Sequence, residues 1–410
     1  MKQDVNQLVD FKSDVAAVDI GNYADSLAGS LDRQMKLAYR PENGKKLRKF
    51  GAREVAELLR MSPSNLRTKH LDGTFPEVLD EEGEDKKSRQ RFYSAQEIDQ
   101  IRDIMSTVGK NPSLYRPGRS KKDGGKDKLQ TIVVCNFKGG SGKTSTCAHL
   151  AQRWALRGYR VLAIDMDPQA SLTTYFGHRP ELEFGEGGTI YDAIRYADPV
   201  PLSDVIRKTY FHNLDMVPAG LMLSEYETET AAALSKRVLP LFADRLSMAI
   251  ETVQDDYDLV IIDSPPQLGF ITLTALTAAT GLIVTVVPGM LDIASMSQFL
   301  KLASETIKAV EESISRPVSW DFMRFLITRY EPSDGPQTQM AGYLRTILGP
   351  NVLTEPMLKS TALSDAGMTQ QTIYEVDPGQ LVRKTLERAL SSMNGVADEL
   401  ELAIQKVWGR

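Results

Sequence analysis

Residues 131–156 read TIVVCNFKGGSGKTSTCAHLAQRWAL, and the order of residue types within this stretch decides the fold. Its opening run, TIVVCNF, is short, apolar and rich in β-branched residues, the pattern of a strand buried on both faces. Its closing run, TSTCAHLAQRWAL, reads as a helix. Between them stand Lys138, Gly139, Gly140, Ser141, Gly142 and Lys143. Glycines let a loop turn its amides inward, and a helix N-terminus offers unpaired N–H groups with a partial positive charge. A phosphate group satisfies both needs. Lys143 is expected to bridge the β- and γ-phosphates of ATP, the Thr144 hydroxyl to be a direct Mg2+ ligand, and Ser145 to belong to the same ATP-binding set.

Outward from this loop, strand-like runs alternate with helical ones: RVLAID, LDMVPA, DLVIID, GLIVTVVP, MRFLITRY and NVLTEPM. Such alternation predicts an α/β fold, a mostly parallel sheet flanked by helices. In a sheet of this kind, carboxylates at the C-terminal strand ends face the ligand crevice. Asp165 and Asp167 stand there in AIDMDPQ, and Asp263 closes DLVIID before SPPQLG. An aspartate ending an apolar strand reads as a Walker B carboxylate, holding Mg2+ through water.

The loop departs from the general Walker pattern, because Phe137 takes the place of its first glycine. KGGSGKT instead resembles the deviant Walker motif of the ParA and MinD ATPases, and residues 130–390 as a whole resemble the ParA family of P-loop NTPases. That resemblance implies that Lys138 reaches across a dimer to the partner's phosphates, so that ATP lies between two facing subunits. It implies that Asp167 orients the attacking water, that Asp165 supports the Mg2+ shell, and that Lys138, Lys143 and Asp167 form the catalytic set. It sets Thr328, Arg329 and Met357 beside the adenine ring. The implied activity is a Mg2+-dependent ATPase, slow on its own, serving plasmid partition. ATP would close a homodimer that coats nucleoid DNA without sequence preference, and a ParB-like centromere-binding partner would stimulate hydrolysis and release. Candidates for the nonspecific DNA contacts are Lys359, Arg383, Lys384 and Arg388, and such contacts are electrostatic and salt-dependent.

Residues 48–106 carry a second pattern. In GAREVAELLRMSPSNLRTKHLDGTFP a first helix is expected from Ala52 to Arg60, with Val55, Leu58 and Leu59 inward. Met61, Ser62 and Pro63 make a turn, with Ser62 as N-cap and Pro63 at the first helical position. The next helix sets Ser64, Asn65, Arg67 and Lys69 around a buried Leu66, the polar and basic face that a recognition helix offers to a major groove. Arg89, Arg91, Phe92 and Tyr93 would form a wing before a helix capped by Ser94. The stretch resembles a MerR-like winged helix-turn-helix, and the resemblance to the long, plasmid-encoded branch of the ParA family implies that it binds the promoter of the protein's own operon as a repressor.

The expected domains are a helical dimerisation segment (1–40), a winged helix-turn-helix domain (41–108), a basic linker (109–129) and a ParA-type ATPase domain (130–410). The 410 residues are 42% hydrophobic with a net charge of −5, which argues against a histone-like coat and leaves DNA binding to local basic clusters. No apolar stretch has the length of a membrane span and the start lacks a signal-peptide core, so a cytoplasmic, nucleoid-associated protein is expected. Cys135 and Cys147 read as buried thiols. A MinD-like membrane ATPase would need a basic amphipathic C-terminus, whereas ADELELAIQKVWGR is mixed or acidic. The alternative of another class is a nucleotide-gated transcriptional repressor in which hydrolysis is incidental.

Overall fold

The computed structural model describes residues 17–38, 45–76, 91–109, 111–119, 127–185 and 187–410. Two short strands, β1 (Phe50–Gly51) and β2 (Phe92–Tyr93), pair antiparallel. The main sheet contains β3 (Gln130–Cys135), β4 (Val161–Asp165), β5 (Arg207–Lys208), β6 (Leu214–Val217), β7 (Leu259–Asp263), β8 (Gly281–Val286) and β9 (Phe322–Ile327). Its order is β5-β6-β4-β7-β3-β8-β9, parallel throughout except for the β5–β6 pair. NVLTEPM does not become a strand: Val352 and Leu358 each make one isolated bridge, to Phe325 and Tyr330. Pro356 in that run has no N–H to give to a ladder.

Alternate residues of the central strands feed two cores, as the two-residue period of a strand requires. Ile132, Val134, Val161, Ala163, Leu259 and Ile261 face one core, with the helices Lys143–Leu156 and Arg383–Val407. Val133, Cys135, Leu162, Ile164, Val260 and Ile262 face the other, with Phe242–Glu251, Phe270–Ala278 and Met290–Ile314. Both cysteines are buried free thiols. The chain leaves β3 toward β4 on one side and reaches β8 on the other. The crevice at the C-terminal end of β3 is therefore the place where this topology binds ligands.

The small N-terminal helices belong to the first of those cores. Val55, Leu59, Leu66, Ile98 and Ile101 share it with Trp154 and Met393. Helix Ala52–Leu58 stops short of the expected Arg60, which takes a left-handed φ of +50° while Met61 N–H closes on Ala56 O at 2.9 Å. Ser62 caps helix Pro63–Leu71 through the Asn65 N–H, and Ser94 caps helix Ala95–Val108 through the Glu97 N–H. The segment expected to be a solvated linker is in part docked: Pro112–Tyr115 is helical, Arg116 pairs with Asp99 and Asp103, and Arg119 donates to the carbonyls of Gln254 and Tyr257. Residues 110 and 120–126 of it lie outside the described residues.

Residues Met1–Lys46 form a separate unit. Among its described residues it carries the helix Ala17–Ala38, with Val18, Ile20, Tyr23 and Leu27 exposed. Among the described residues no helix is long and apolar enough to cross a membrane.

Candidate nucleotide-binding site

The loop after β3 is held from behind. Asn136 donates to the Thr285 carbonyl and accepts from Lys138 N–H at 3.2 Å, while Ser141 Oγ lies 2.9 Å from Thr285 Oγ1. Gly140 and Gly142 have φ of +75° and +86°, values open to glycine at no steric cost, and Gly142 opens the helix Lys143–Leu156. Lys143 is 7% exposed, with Nζ 3.4 Å from Lys138 O. Burial lowers its pKa, while Asp263 and Asp167 pull the other way.

Asp165 and Asp263 are register partners at the ends of β4 and β7, and both are fully buried. They differ in what holds them. Asp165 accepts from Asp167 N–H at 3.1 Å and from Thr173 N–H and Oγ1 at 2.8 and 2.7 Å. Asp263 Oδ1 accepts from Cys147 Sγ at 3.8 Å, the Thr144 hydroxyl favours its charged form, and its Oδ2 has no partner. Burial, reinforced by Asp165, raises the Asp263 pKa well above the ordinary carboxylate value. An unpaired buried carboxylate oxygen beside a lysine and a threonine hydroxyl suits a hydrated divalent cation carrying phosphate. Asp167 stands at the crevice edge, where its Oδ1 accepts from Gln169 N–H at 3.0 Å.

Lys138 points away from its own loop and pairs with Asp292 at 2.8 Å, at the start of helix Met290–Ile314. Phe137, Met290 and Leu291 beside this pair are exposed. Ser145 keeps its carbonyl on His149 Nδ1 at 2.6 Å. Thr328 is fully buried and donates to Ser141 O at 2.7 Å, Arg329 donates to Gly140 O at 3.2 Å, and Met357 Sδ accepts from Thr146 at 3.6 Å. The sequence reading missed Asn136, Thr285, Thr173 and Asp292: Thr285 and Asp292 reach the loop and Thr173 reaches Asp165 only after folding, and Asn136, though next to the loop, has no residue type that singles it out.

Of the residues expected on DNA, Ser64, Asn65, Arg67 and Arg91 are exposed, and Lys69 is half-buried over the Phe75 ring. Tyr93 is a correction: it is 1% exposed, with its hydroxyl 2.9 Å from His70 Nε2. Pairing with Phe50 turns Tyr93 inward, and alternation turns Phe92 outward. Arg89 lies outside the described residues. Lys359 is paired with Glu331 and Arg383 with Glu387, while Lys384 and Arg388 are exposed.

Strand, glycine turn, helix N-terminus and two strand-end aspartates define a P-loop protein that binds ATP. The comparisons agree. A family model described as an AAA domain matches residues 129–316. The chain is similar to a putative replication protein A of Rhizobium rhizogenes, 48% identical over 95% of this chain and 94% of that protein. Protein SopA of Escherichia coli strain K12 is 30% identical over 82% of each chain. A solved structure described as a partition protein covers 94% of this chain and 98% of its own, with a TM-score of 0.64 at 18% identity, a likeness of fold. The chain belongs to the ParA family of partition ATPases, close to the replication protein A sequences of rhizobia.

Proposed function

We propose that this protein hydrolyses ATP to drive plasmid partition, binds nucleoid DNA without sequence preference as an ATP-bridged homodimer, and represses its own operon through residues 41–108. The observation that carries the reading is the unpaired, buried Asp263 Oδ2 beside Lys143 and Thr144, at the end of a loop built for phosphate.

In the proposed reaction the loop amides and Lys143 hold the β- and γ-phosphates. Asp167 orients a water in line with the γ-phosphorus; the new P–O bond forms as the bond to the β-phosphate breaks, and ADP leaves with the electron pair. Thr144 directly and Asp263 through water would hold Mg2+, which supplies charge neutralisation at the bridging oxygens. Asp165, its oxygens taken up by Thr173 and Asp167 N–H, supports that shell from behind. Lys138 exchanges Asp292 for the partner's phosphates when the dimer closes, and Met357 lies on the base side. Residues 1–40 dimerise the protein, 109–129 join the two DNA-linked parts, and 130–410 form the ATPase domain. The further partners are operator DNA at Ser64, Asn65, Arg67, Lys69, Arg89 and Arg91, nonspecific DNA at Lys359, Arg383 and Lys384, and a ParB-like centromere-binding protein. The setting is the nucleoid within the cytoplasm.

A second reading, a nucleotide-gated repressor, draws support from one contact. The carbonyl of Leu58, at the end of helix Ala52–Leu58, accepts from Arg157 just past the loop helix and from Arg102, at 2.8 and 3.0 Å. The test is phosphate release by wild type and Asp167→Ala, with and without Mg2+ and random duplex DNA, alongside DNA binding in ATP and ADP. Slow Mg2+-dependent release that vanishes in the variant, with sequence-independent binding in ATP alone, is expected. No hydrolysis and binding only to one operator would replace the partition reading with the repressor.

A further inference from the structure

Arg329 is a non-glycine residue in a conformation that costs energy. Its φ is +51°, in the left-handed region. The backbone on either side is pinned: Thr328 N–H donates to Val286 O at 2.8 Å, and Tyr330 N–H to Met357 O at 3.1 Å. The turn between these bonds sends the exposed Arg329 side chain over the phosphate loop, where Nη1 donates to Gly140 O at 3.2 Å. Thr328 Oγ1 donates to the next carbonyl, Ser141 O, at 2.7 Å, and the Thr328 side chain lies 3.6 Å from where a Cβ on Gly142 would stand. Two consecutive residues after β9 thus capture two consecutive loop carbonyls. Among the described residues no carboxylate forms an ion pair with Arg329, in contrast to Lys138, which has Asp292.

A peptide unit is rigid and planar, so fixing a carbonyl also fixes the N–H of the following residue. Holding Gly140 O and Ser141 O on the outer side aims the amides of Ser141 and Gly142 at the inner side, where phosphate is to bind. We infer that Arg329, with Thr328, is a positioning residue that presets the phosphate loop, rather than a contact to the adenine ring. The inference rests on the ATP-site reading above. A loop preset in this way holds the phosphates shared by ATP and ADP and is blind to the base. The strain at Arg329 is the cost of placing a guanidinium where a glycine would be relaxed.

The experiment measures ATP, ADP and GTP affinity, turnover at saturating ATP, and melting without nucleotide, for wild type, Arg329→Gly, Arg329→Ala and Arg329→Lys. Glycine accepts φ of +51° freely, so Arg329→Gly is expected to melt no lower than wild type while losing about ten-fold affinity for ATP and ADP alike. The ATP-to-GTP ratio and the saturated turnover stay within about two-fold of wild type, and Arg329→Lys, which keeps one donor, recovers part of the affinity. Unchanged ATP and ADP affinity in the glycine and alanine variants would overturn the inference, as would a changed ATP-to-GTP ratio or a loss confined to turnover. Failure of the wild type itself to bind ATP would instead overturn the ATP-site reading.

Discussion

The two ends of the helix Lys143–Leu156, about 21 Å apart at 1.5 Å per residue, treat buried charge in opposite ways. At the N-terminal end, Asp263 Oδ2 has no partner, Lys143 has its pKa lowered by burial, and strained backbone stands close by at Ala170 and Arg329. Just past the C-terminal end, Glu401 gathers Arg60 at 3.1 Å, Arg157 at 3.4 Å, Tyr159 at 3.1 Å and Gln405 at 3.2 Å. Arg102 ties the same junction to Leu156 O at 2.6 Å and Leu58 O at 3.0 Å. Two nitrogens there are left over, Arg102 Nη1 and Arg153 Nε, each on a guanidinium bonded or paired through another nitrogen, and burial together with the adjacent Arg157 pushes the Arg102 guanidinium down to about 9. Asp165, Asp263 and Lys143 crowd buried charge into one crevice with no ion pair among them, a free-energy cost that folding alone does not recover, and this marks a place kept for a ligand. Guanidinium groups tied to the Glu401 carboxylate and to the carbonyls of Leu58 and Leu156 at the other end mark a joint. By these bonds residues 47–76 and 91–109 are fixed to the ATPase core and do not hang from a tether.

The sharpest break between the ends comes from deleting a carboxylate at the joint. Glu401→Ala leaves Arg157 buried without its partner and is expected to cost about 3–5 kcal/mol, read as a lower urea midpoint; a loss under about 1 kcal/mol would deny the joint its role. At the loop end, Lys143→Ala is expected to weaken ATP binding at least about hundredfold by calorimetry while changing the melting temperature little, because a buried lysine with a lowered pKa does not support the fold. Next in size, Arg67→Ala is expected to reduce operator affinity by about 1–3 kcal/mol, whereas Tyr93→Phe, which keeps the buried ring, leaves it unchanged. The smallest effect is a pH slope. His149 is buried and its pKa is lowered to about 4, so below about 6.5 the unfolded chain takes up a proton that the folded chain refuses. Stability should fall by less than about 1 kcal/mol from pH 7 to 6 on this account and continue falling toward pH 4, and His149→Gln should flatten that slope.

The loop end was legible because it is local. Strand, turn and helix follow one another in residues 131–156, and each announces itself by residue type. Asp165 and Asp263 were legible as strand ends, but that one is satisfied and the other is not depends on Thr173, which no spacing reveals. The joint was illegible for the same reason: Glu401, Arg157 and Arg102 come from three distant helices and meet only after packing. Composition misled in the segment after Gly109, where Arg116 and Arg119 bind carboxylates and carbonyls of the protein itself. Tyr93 was misread because a two-residue strand has too little alternation to show which side chain turns inward.

The most direct measurement is thermal unfolding of wild type and Asp263→Asn at pH 7, with and without MgATP. Removing a carboxylate whose pKa burial has raised is expected to leave the variant at least as stable as wild type without nucleotide, yet deprive it of the MgATP-induced rise in melting temperature that wild type displays. A variant that melts lower on its own and still gains as much from MgATP would show that Asp263 serves the fold and not the ligand, which contradicts the account.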